Sequence, residues 1–220
     1  MAEIIHFNKQ VSKHKAEDLI NYRINDVYFG EDFHFCKKTG KVTKLPPHKI
    51  VMGYFVFDAK NKRLLDPANT DDGFIPAFLE EIKGKKVNVE SRGHHKYVIV
   101  NGVCIVKCTA GKIVYVNLPT IQQIDDHFLS KDTYVTYMSA RRAKTVGVDF
   151  MRRNACLKNL ILTQALAIGE DALAYHSSDL YHLDLSSMDK GQRDNVFYFA
   201  NNMADMKPAY FNYLTKSTVR

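Results

Sequence analysis

Short runs of alternating apolar and polar residues fill the first half of the chain. Such period-two alternation is typical of β-strands, and it is interrupted at tight-turn signals such as Thr39-Gly40, Asn101-Gly102 and Gly111-Lys112. We therefore predict strands at Phe33–Cys36, Val42–Leu45, Gly53–Phe57, Arg63–Leu65, Lys86–Glu90, Lys96–Val100, Val103–Cys108 and Ile113–Val116. Helical spacing predicts two helices in this half, at Ser12–Asn25 and Pro76–Ile82.

Beyond Pro119 the apolar residues recur three or four positions apart, which is the spacing of amphipathic helices. The pattern predicts helices over 119–129, 132–145, 149–168, 188–206 and 208–215. Segment 157–168 is apolar on nearly every face, so we expect it to form a buried central helix. This interpretation contains no internal repeat.

Strands followed by helices predict an α+β fold. We expect antiparallel hairpins and a β-meander in the N-terminal half, with a helical C-terminal half packed on or beside the sheet. The predicted division near Leu118 gives a β-rich subdomain with an N-terminal helix at 1–118 and a helical subdomain at 119–220. One continuous domain is the alternative.

Composition places the chain among folded intracellular proteins. It has 220 residues, of which 45% are hydrophobic and 25% are charged. Four cysteines without a signal-peptide pattern indicate reduced thiols and a cytoplasmic location. No run approaches the ~20 apolar residues of a membrane-spanning helix, so we expect no membrane contact.

The net charge of +7 favours an acidic partner. Lysines and arginines concentrate in segments 37–63 and 83–112, whereas acidic residues concentrate in 66–81 and in the C-terminal third. This segregation predicts a polar molecule with one basic side.

Segment 139–158 carries two arginine pairs around the turn residue Gly147. Its predicted helix–turn–helix pattern resembles the DNA-binding motif of that name, and cations in the first turn of the second helix conflict with the helix dipole unless an anion is bound. The candidate phosphate contacts are Arg141, Arg142, Lys144, Arg152 and Arg153. The alternative is a helical hairpin whose arginines pair with Asp149 and with surface acids.

A lysine-rich hairpin adds Lys37, Lys38, Lys41 and Lys44 to the candidate nucleic-acid-binding residues. Seven aromatic residues in the strand region are candidates for stacking on unpaired bases: Phe33, Phe35, Tyr54, Phe55, Phe57, Tyr97 and Tyr115. The alternative for most of these rings is a place in the hydrophobic core.

A metal-dependent nuclease is a second possibility. An acid, a short helix and an acid-bearing strand resemble the restriction-endonuclease arrangement, with Asp66, Asp72 and Glu90 as metal ligands and His94 or His95 as general base. A zinc site built from His94, His95, Cys104 and Cys108 is a weaker alternative, because alternation places both cysteines on one strand face.

No phosphate-binding loop of the Walker type, GxGxxG, GxSxG or HExxH motif is present. We therefore predict a non-enzymatic nucleic-acid-binding protein without metal or cofactor. It would contact the phosphate backbone, with RNA or single-stranded DNA favoured over duplex DNA. The third alternative is an interaction or assembly protein that docks an acidic partner or a second copy of itself.

Overall fold

The structure is a computed structural model that describes residues 28–29, 33–36, 41–53, 55–65, 72–130, 134–174 and 180–193, with side chains described from residue 45 onward except at 55 and 65. The predicted helices at 12–25 and 208–215 lie outside these residues. Of the helix predicted at 188–206 only residues 188–193 are described, and residues 190–193 are helical.

The first six strands form two small antiparallel sheets. One contains β1 (Tyr28–Phe29), β2 (Phe33–Cys36) and β3 (Lys41–Lys44), and the other contains β4 (Lys49–Met52), β5 (Phe55–Asp58) and β6 (Arg63–Leu65). The predicted hairpins β2–β3 and β5–β6 are confirmed.

Helix α1 (Phe74–Ile82) begins two residues before its predicted start. Proline is compatible with a first helical turn, because the amide that it lacks has no partner there, and so Pro76 does not interrupt the helix. Phe74, Phe78 and Ile82 lie one turn apart and are buried. The ring of Phe78 packs edge-on against Phe57 with centroids 4.9 Å apart.

The predicted meander is confirmed. Strands β7 (Val87–Arg92), β8 (His95–Val100), β9 (Val103–Thr109) and β10 (Lys112–Asn117) pair antiparallel in sequence order. At the β8–β9 turn Asn101 has φ 48° and Gly102 has φ 83°. Positive φ at both central residues is what a type I′ hairpin requires, so this turn follows directly from the sequence.

The prediction of a helical C-terminal half is wrong. Within 119–130 and 134–174 the chain forms no helix, and the protein is mostly β-sheet rather than α+β. The strands are β11 (Gln123–Ile124), β12 (Tyr137–Ser139), β13 (Thr145–Val146), β14 (Asn159–Ile161), β15 (Ala167–Ile168) and β16 (His182–Asp184). In particular, segment 157–168 holds β14 and β15 instead of a buried helix.

These strands belong to a repeating coil. Tyr115, Tyr137 and Asn159 pair side by side at a spacing of 22 residues, as do Gln123, Thr145 and Ala167. Each coil contributes one strand to a long sheet and one to a short three-stranded sheet, β11-β13-β15. The prediction that the chain has no internal repeat is therefore also wrong.

Equivalent positions of successive coils lie above one another in the interior. Val116, Met138, Leu160 and Leu183 form one interior column, and the rings of Phe128 and Phe150 stack with centroids 5.5 Å apart. Gly147 is needed for the close approach of neighbouring coils, since a Cβ there would lie 2.5 Å from the backbone nitrogen of Asp126. We call residues 115–188 the solenoid.

Strand β12 joins the meander by pairing parallel with β10, so that one seven-stranded sheet runs in the order β16-β14-β12-β10-β9-β8-β7. This sheet continues across Leu118, where the sequence suggests a division. One core cluster likewise includes residues from both sides of that position. The two-subdomain division stays a prediction.

Candidate functional site

The seven-stranded sheet has one buried face and one half-exposed face, which we call the open face. Alternation along each strand separates the two faces. The buried face carries Val98, Val106, Val116, Met138 and Leu160, none of which has exposed area. The neighbouring positions point the other way, and at least one of them on each of these five strands is partly exposed, whereas Ser139 and Ile161 are buried.

A single row of side chains crosses the open face, one residue from each strand, and we call it the central row. Strand register places these residues directly beside one another. In sheet order they are Glu90, Tyr97, Lys107, Tyr115, Tyr137, Asn159 and His182. Adjacent strands are ~4.8 Å apart, so the row forms a continuous strip of polar and aromatic groups.

Aromatic rings in the central row are in contact with each other and with cations. Tyr115 and Tyr137 stack with centroids 4.5 Å apart and planes 11° apart. Tyr97 has the Arg92 guanidinium carbon 5.4 Å and the Lys107 ammonium 5.7 Å from its ring centroid. Such cation–π contacts hold positive charge beside an aromatic surface.

Two ionisable groups on the open face are kept neutral. Burial, reinforced by the neighbouring Tyr137, raises the pKa of the Tyr115 hydroxyl. Burial also raises the pKa of the Cys104 thiol. Neither group is therefore poised as an anionic nucleophile, and the Tyr115 hydroxyl remains able to donate a hydrogen bond.

Two further pairs of cation and ring lie beside the open face, near the N-terminal ends of its parallel strands. The Lys112 ammonium is 3.6 Å from the centroid of Tyr134, and the Lys158 ammonium is 5.8 Å from that of Tyr181. Tyr134 is 44% exposed and Tyr181 is 70% exposed. Rings this exposed are unusual for core residues and extend the aromatic surface.

The predicted arginine cluster is divided between two corners of the solenoid. Arg141, Arg142 and Lys144 are exposed in the corner that follows β12, beside the C-terminal end of the open face. The Lys144 amide donates to the Gln122 carbonyl of the preceding coil. Among the described residues, no carboxylate forms an ion pair with these three cations.

Arg152 and Arg153 lie in the other corner, after β13, and no helix begins there. The conflict with a helix dipole therefore does not exist. Arg152 is already matched by carboxylates, with Nη1 3.0 Å from Asp149 Oδ1 and 3.6 Å from Asp171 Oδ2. Asp149 also contacts His127 Nδ1 at 3.0 Å. These contacts, the ion pairs of Arg152 and the side-chain contact between His127 and Asp149, tie three successive coils together.

The lysine-rich hairpin is only partly described. Lys41 and Lys44 bound strand β3 in a three-stranded sheet separate from the seven-stranded one, and only their backbone is described. Lys37 and Lys38 lie outside the described residues.

The proposed nuclease residues do not meet in the part of the chain that is described. Asp72 is buried and accepts hydrogen bonds from the amides of Phe74 and Leu129. Glu90 is on the open face and pairs with Arg92 at 2.8 Å. Asp66 lies outside the described residues.

The two adjacent histidines of the nuclease and zinc alternatives do not join the cysteines in a metal-binding group among the described residues. His94 is exposed in the β7–β8 turn, and His95 contacts the Thr109 hydroxyl at 2.9 Å. A register shift between Val98 and Ile99 places Cys104 opposite Ile99 on the open face, whereas Cys108 is buried on the other face. The expectation that both cysteines share one face is wrong, and no group of three metal-binding side chains exists among the described residues.

An open cleft of about 490 Å³ lies between α1 and the short parallel sheet. Asp72, Asp125, Asp126 and His127 are among its lining residues. Its carboxylates would repel a polyanion, so this cleft is not the place where such a ligand would bind.

Of the seven rings named from the sequence, Tyr97 and Tyr115 lie on the open face and Phe57 is buried. The side chains of Phe33, Phe35, Tyr54 and Phe55 are not described. The sequence did not single out the other residues that complete the surface. These are Arg92, Lys107, Lys112, Tyr134, Tyr137, Lys158 and Tyr181. The 22-residue repeat was the available signal, because it places Tyr137 beside Tyr115.

The fold and the site together define a β-sheet protein in which a parallel-coil solenoid extends an antiparallel meander. No protein-family model, curated protein or solved structure matches this chain. No helix among the described residues is long and apolar enough to cross a membrane.

Proposed function

We propose that this protein binds single-stranded nucleic acid, RNA or DNA, through the open face and without catalysing a reaction on it. The observation that carries the proposal is the central row, where Tyr97 lies between two cations and Lys107 separates it from the stacked pair Tyr115–Tyr137. Rings that accept bases and cations that accept phosphates are the two elements common to single-strand binders.

The cations at the two ends of the open-face strands favour the same ligand. Arg141 and Arg142 follow β12, while Lys112 and Lys158 lie near the opposite strand ends. A strand of three residues is ~10 Å long, so a nucleotide whose base lies on the central row has its phosphate near one of these edges. The net charge of +7 adds long-range attraction for a polyanion.

A single strand fits this surface better than a duplex. Bases in a duplex are stacked on each other and paired, so their faces are not available to tyrosine rings.

Fluorescence anisotropy with labelled single-stranded and duplex RNA and DNA, at two salt concentrations, tests the proposal. Arg92→Glu combined with Lys107→Glu reverses two charges on the open face. We expect about a 30- to 100-fold loss of single-strand affinity, because Lys107 loses a phosphate contact and Arg92→Glu places a second carboxylate beside Glu90. Lys60→Glu combined with Lys83→Glu changes the net charge equally on exposed positions elsewhere and should cost less than about fivefold.

Equal losses in both double variants would mean that only net charge matters, and unchanged affinity in the open-face variant would disprove the site. Thermal unfolding of each variant checks that the fold is intact. Addition of magnesium or manganese separates binding from the nuclease alternative, since a binding protein leaves the labelled strand uncut.

An acidic protein partner is a second candidate, favoured by the solenoid itself. Repeat solenoids use their extended sheet surfaces to bind other macromolecules, and Tyr and Arg are enriched in protein interfaces. Poly-glutamate binding that responds to the open-face variant, with no nucleic-acid binding at either salt concentration, would support this candidate instead. A defined oligomer in light scattering of the protein alone would support self-association.

A further inference from the structure

We propose that the open face contains a slot for one unpaired base, above Asn159 and against the outer face of Tyr137. This inference rests on the proposed function, because it specifies how the same surface would hold a single strand. It assigns Asn159 and Tyr137 a role in base recognition rather than in phosphate contact.

The stacked tyrosines set the direction and the spacing of the slot. Tyr115 and Tyr137 are 4.5 Å apart with nearly parallel planes. This separation matches the ~4.8 Å between neighbouring strands, so the stack runs along the central row. The next position along the row is Asn159, which pairs with Tyr137 in register.

Asn159 interrupts the row of large side chains between Tyr137 and His182. His182 is two strands away from Tyr137, a separation of about 10 Å at the usual strand spacing. A planar base halfway between the two rings would lie about 5 Å from each. This is within the range of stacked aromatic pairs.

The floor of the slot is polar. The Asn159 side chain is half-buried, and its amide forms no hydrogen bond with the described residues. An asparagine amide offers both a donor and an acceptor, as the edges of nucleic-acid bases do. Lys158 precedes Asn159 and is exposed, so a cation lies at one end of the slot for the phosphate of the same nucleotide.

The test compares Asn159→Tyr, which fills the slot with a protein ring, with Asn159→Ala, which leaves it open. The probe is a single-stranded oligonucleotide containing 2-aminopurine, whose fluorescence falls on stacking. An abasic oligonucleotide of equal length serves as the phosphate-only control. We expect wild type and Asn159→Ala to quench 2-aminopurine, and Asn159→Tyr to abolish quenching.

Asn159→Tyr should also lower affinity for the base-containing strand by about tenfold while leaving abasic-strand affinity unchanged. If wild type binds the base-containing and abasic strands equally and leaves 2-aminopurine fluorescence unchanged, the slot does not exist although polyanion binding remains. If wild type binds no strand at all, the proposed function itself is wrong. Urea unfolding verifies that Asn159→Tyr folds, and quenching by a folded Asn159→Tyr would overturn the slot.

Discussion

Cations have different partners in two regions of the molecule, the solenoid corner that follows β13 and the open face of the seven-stranded sheet. In the corner after β13, Arg152 is held between the carboxylates of Asp149 and Asp171. On the open face, Lys107 lies against the ring of Tyr97 and has no carboxylate partner among the described residues. Arg92 lies against the same ring but pairs with Glu90. Carboxylates neutralise a cation, whereas a ring leaves its charge available to a second, anionic partner.

The comparison shows that a run of arginines does not by itself identify an anion-binding site. Arg152 serves to connect stacked coils, because its two partners come from its own coil and from the next one. Lys107 adds little to the connection between strands, which backbone hydrogen bonds already provide. We therefore expect stability to depend on the corner and binding to depend on the open face.

The largest effect expected in the corner is that of Gly147→Ala. The new Cβ would lie 2.5 Å from the Asp126 nitrogen and 2.7 Å from the Asp125 carbonyl carbon. Because backbone must move, we expect a loss of about 3 kcal/mol in the free energy of unfolding, measured by urea denaturation. Gly191→Ala is the control, since its Cβ would meet only Asp189 Oδ1 at 3.5 Å, and because Gly191 is helical it should raise stability by at most about 1 kcal/mol.

The next largest effects on stability and affinity are expected from two matched substitutions, Arg152→Met and Lys107→Met. Arg152→Met should destabilise the protein by about 1–2 kcal/mol, because Asp149 and Asp171 lose their shared partner, and should leave nucleic-acid affinity within about twofold. Lys107→Met should do the reverse, with unchanged stability and about a three- to tenfold loss of affinity. A binding loss confined to Arg152→Met would reverse our assignment of the two regions.

A smaller effect is expected from Arg141→Ala combined with Arg142→Ala. These exposed side chains have no ion-pair partner among the described residues, so their removal should not change the unfolding midpoint. We expect affinity for single strands to fall about three- to tenfold and the slope of log affinity against log salt to decrease by about one to two. An unaltered salt slope would exclude this corner from the interface.

The smallest effect concerns Asp184 at the end of the sheet. Burial would raise the pKa of this carboxyl, but hydrogen bonds from Ser186 and Thr163 and the nearby His182 outweigh it and hold the pKa below its ordinary value. A depressed pKa in the folded state stabilises the protein above the ordinary pKa of 3.8, and this contribution is lost as pH falls through the folded-state value.

Asp184→Asn should accordingly be less stable than wild type at pH 7, and the difference should shrink at pH 3. Urea unfolding at both pH values measures it. A difference that stays constant between them would show that the hydrogen bonds do not depend on the carboxylate charge.

The meander was predictable because local signals and tertiary structure agree there. Asn101-Gly102 supplies positive φ at both turn positions, and alternation in Lys96–Val100 matches the observed β8. The solenoid was not predictable by the same reasoning. Leu118, Ile121 and Ile124 are three residues apart, as in a helix, but in the structure they line the interior of a coil.

The candidate site shows the same contrast between the meander, which was predictable, and the solenoid, which was not. Tyr97 and Tyr115 were identified from strands that were predicted correctly. Tyr137 was assigned to a helix, so its contact with Tyr115 was not foreseen. Arg152 and Arg153 were selected because a helix was expected to begin beside them, and that premise failed.

The sequence alone determined the antiparallel hairpins, helix α1 and the excess of positive charge, because each depends on residues close together in the chain or on composition. Only the tertiary structure decided which tyrosines share a row and which arginine is already paired. Those contacts join residues one coil apart, and their formation depends on the stacking of whole coils rather than on any local preference of the chain.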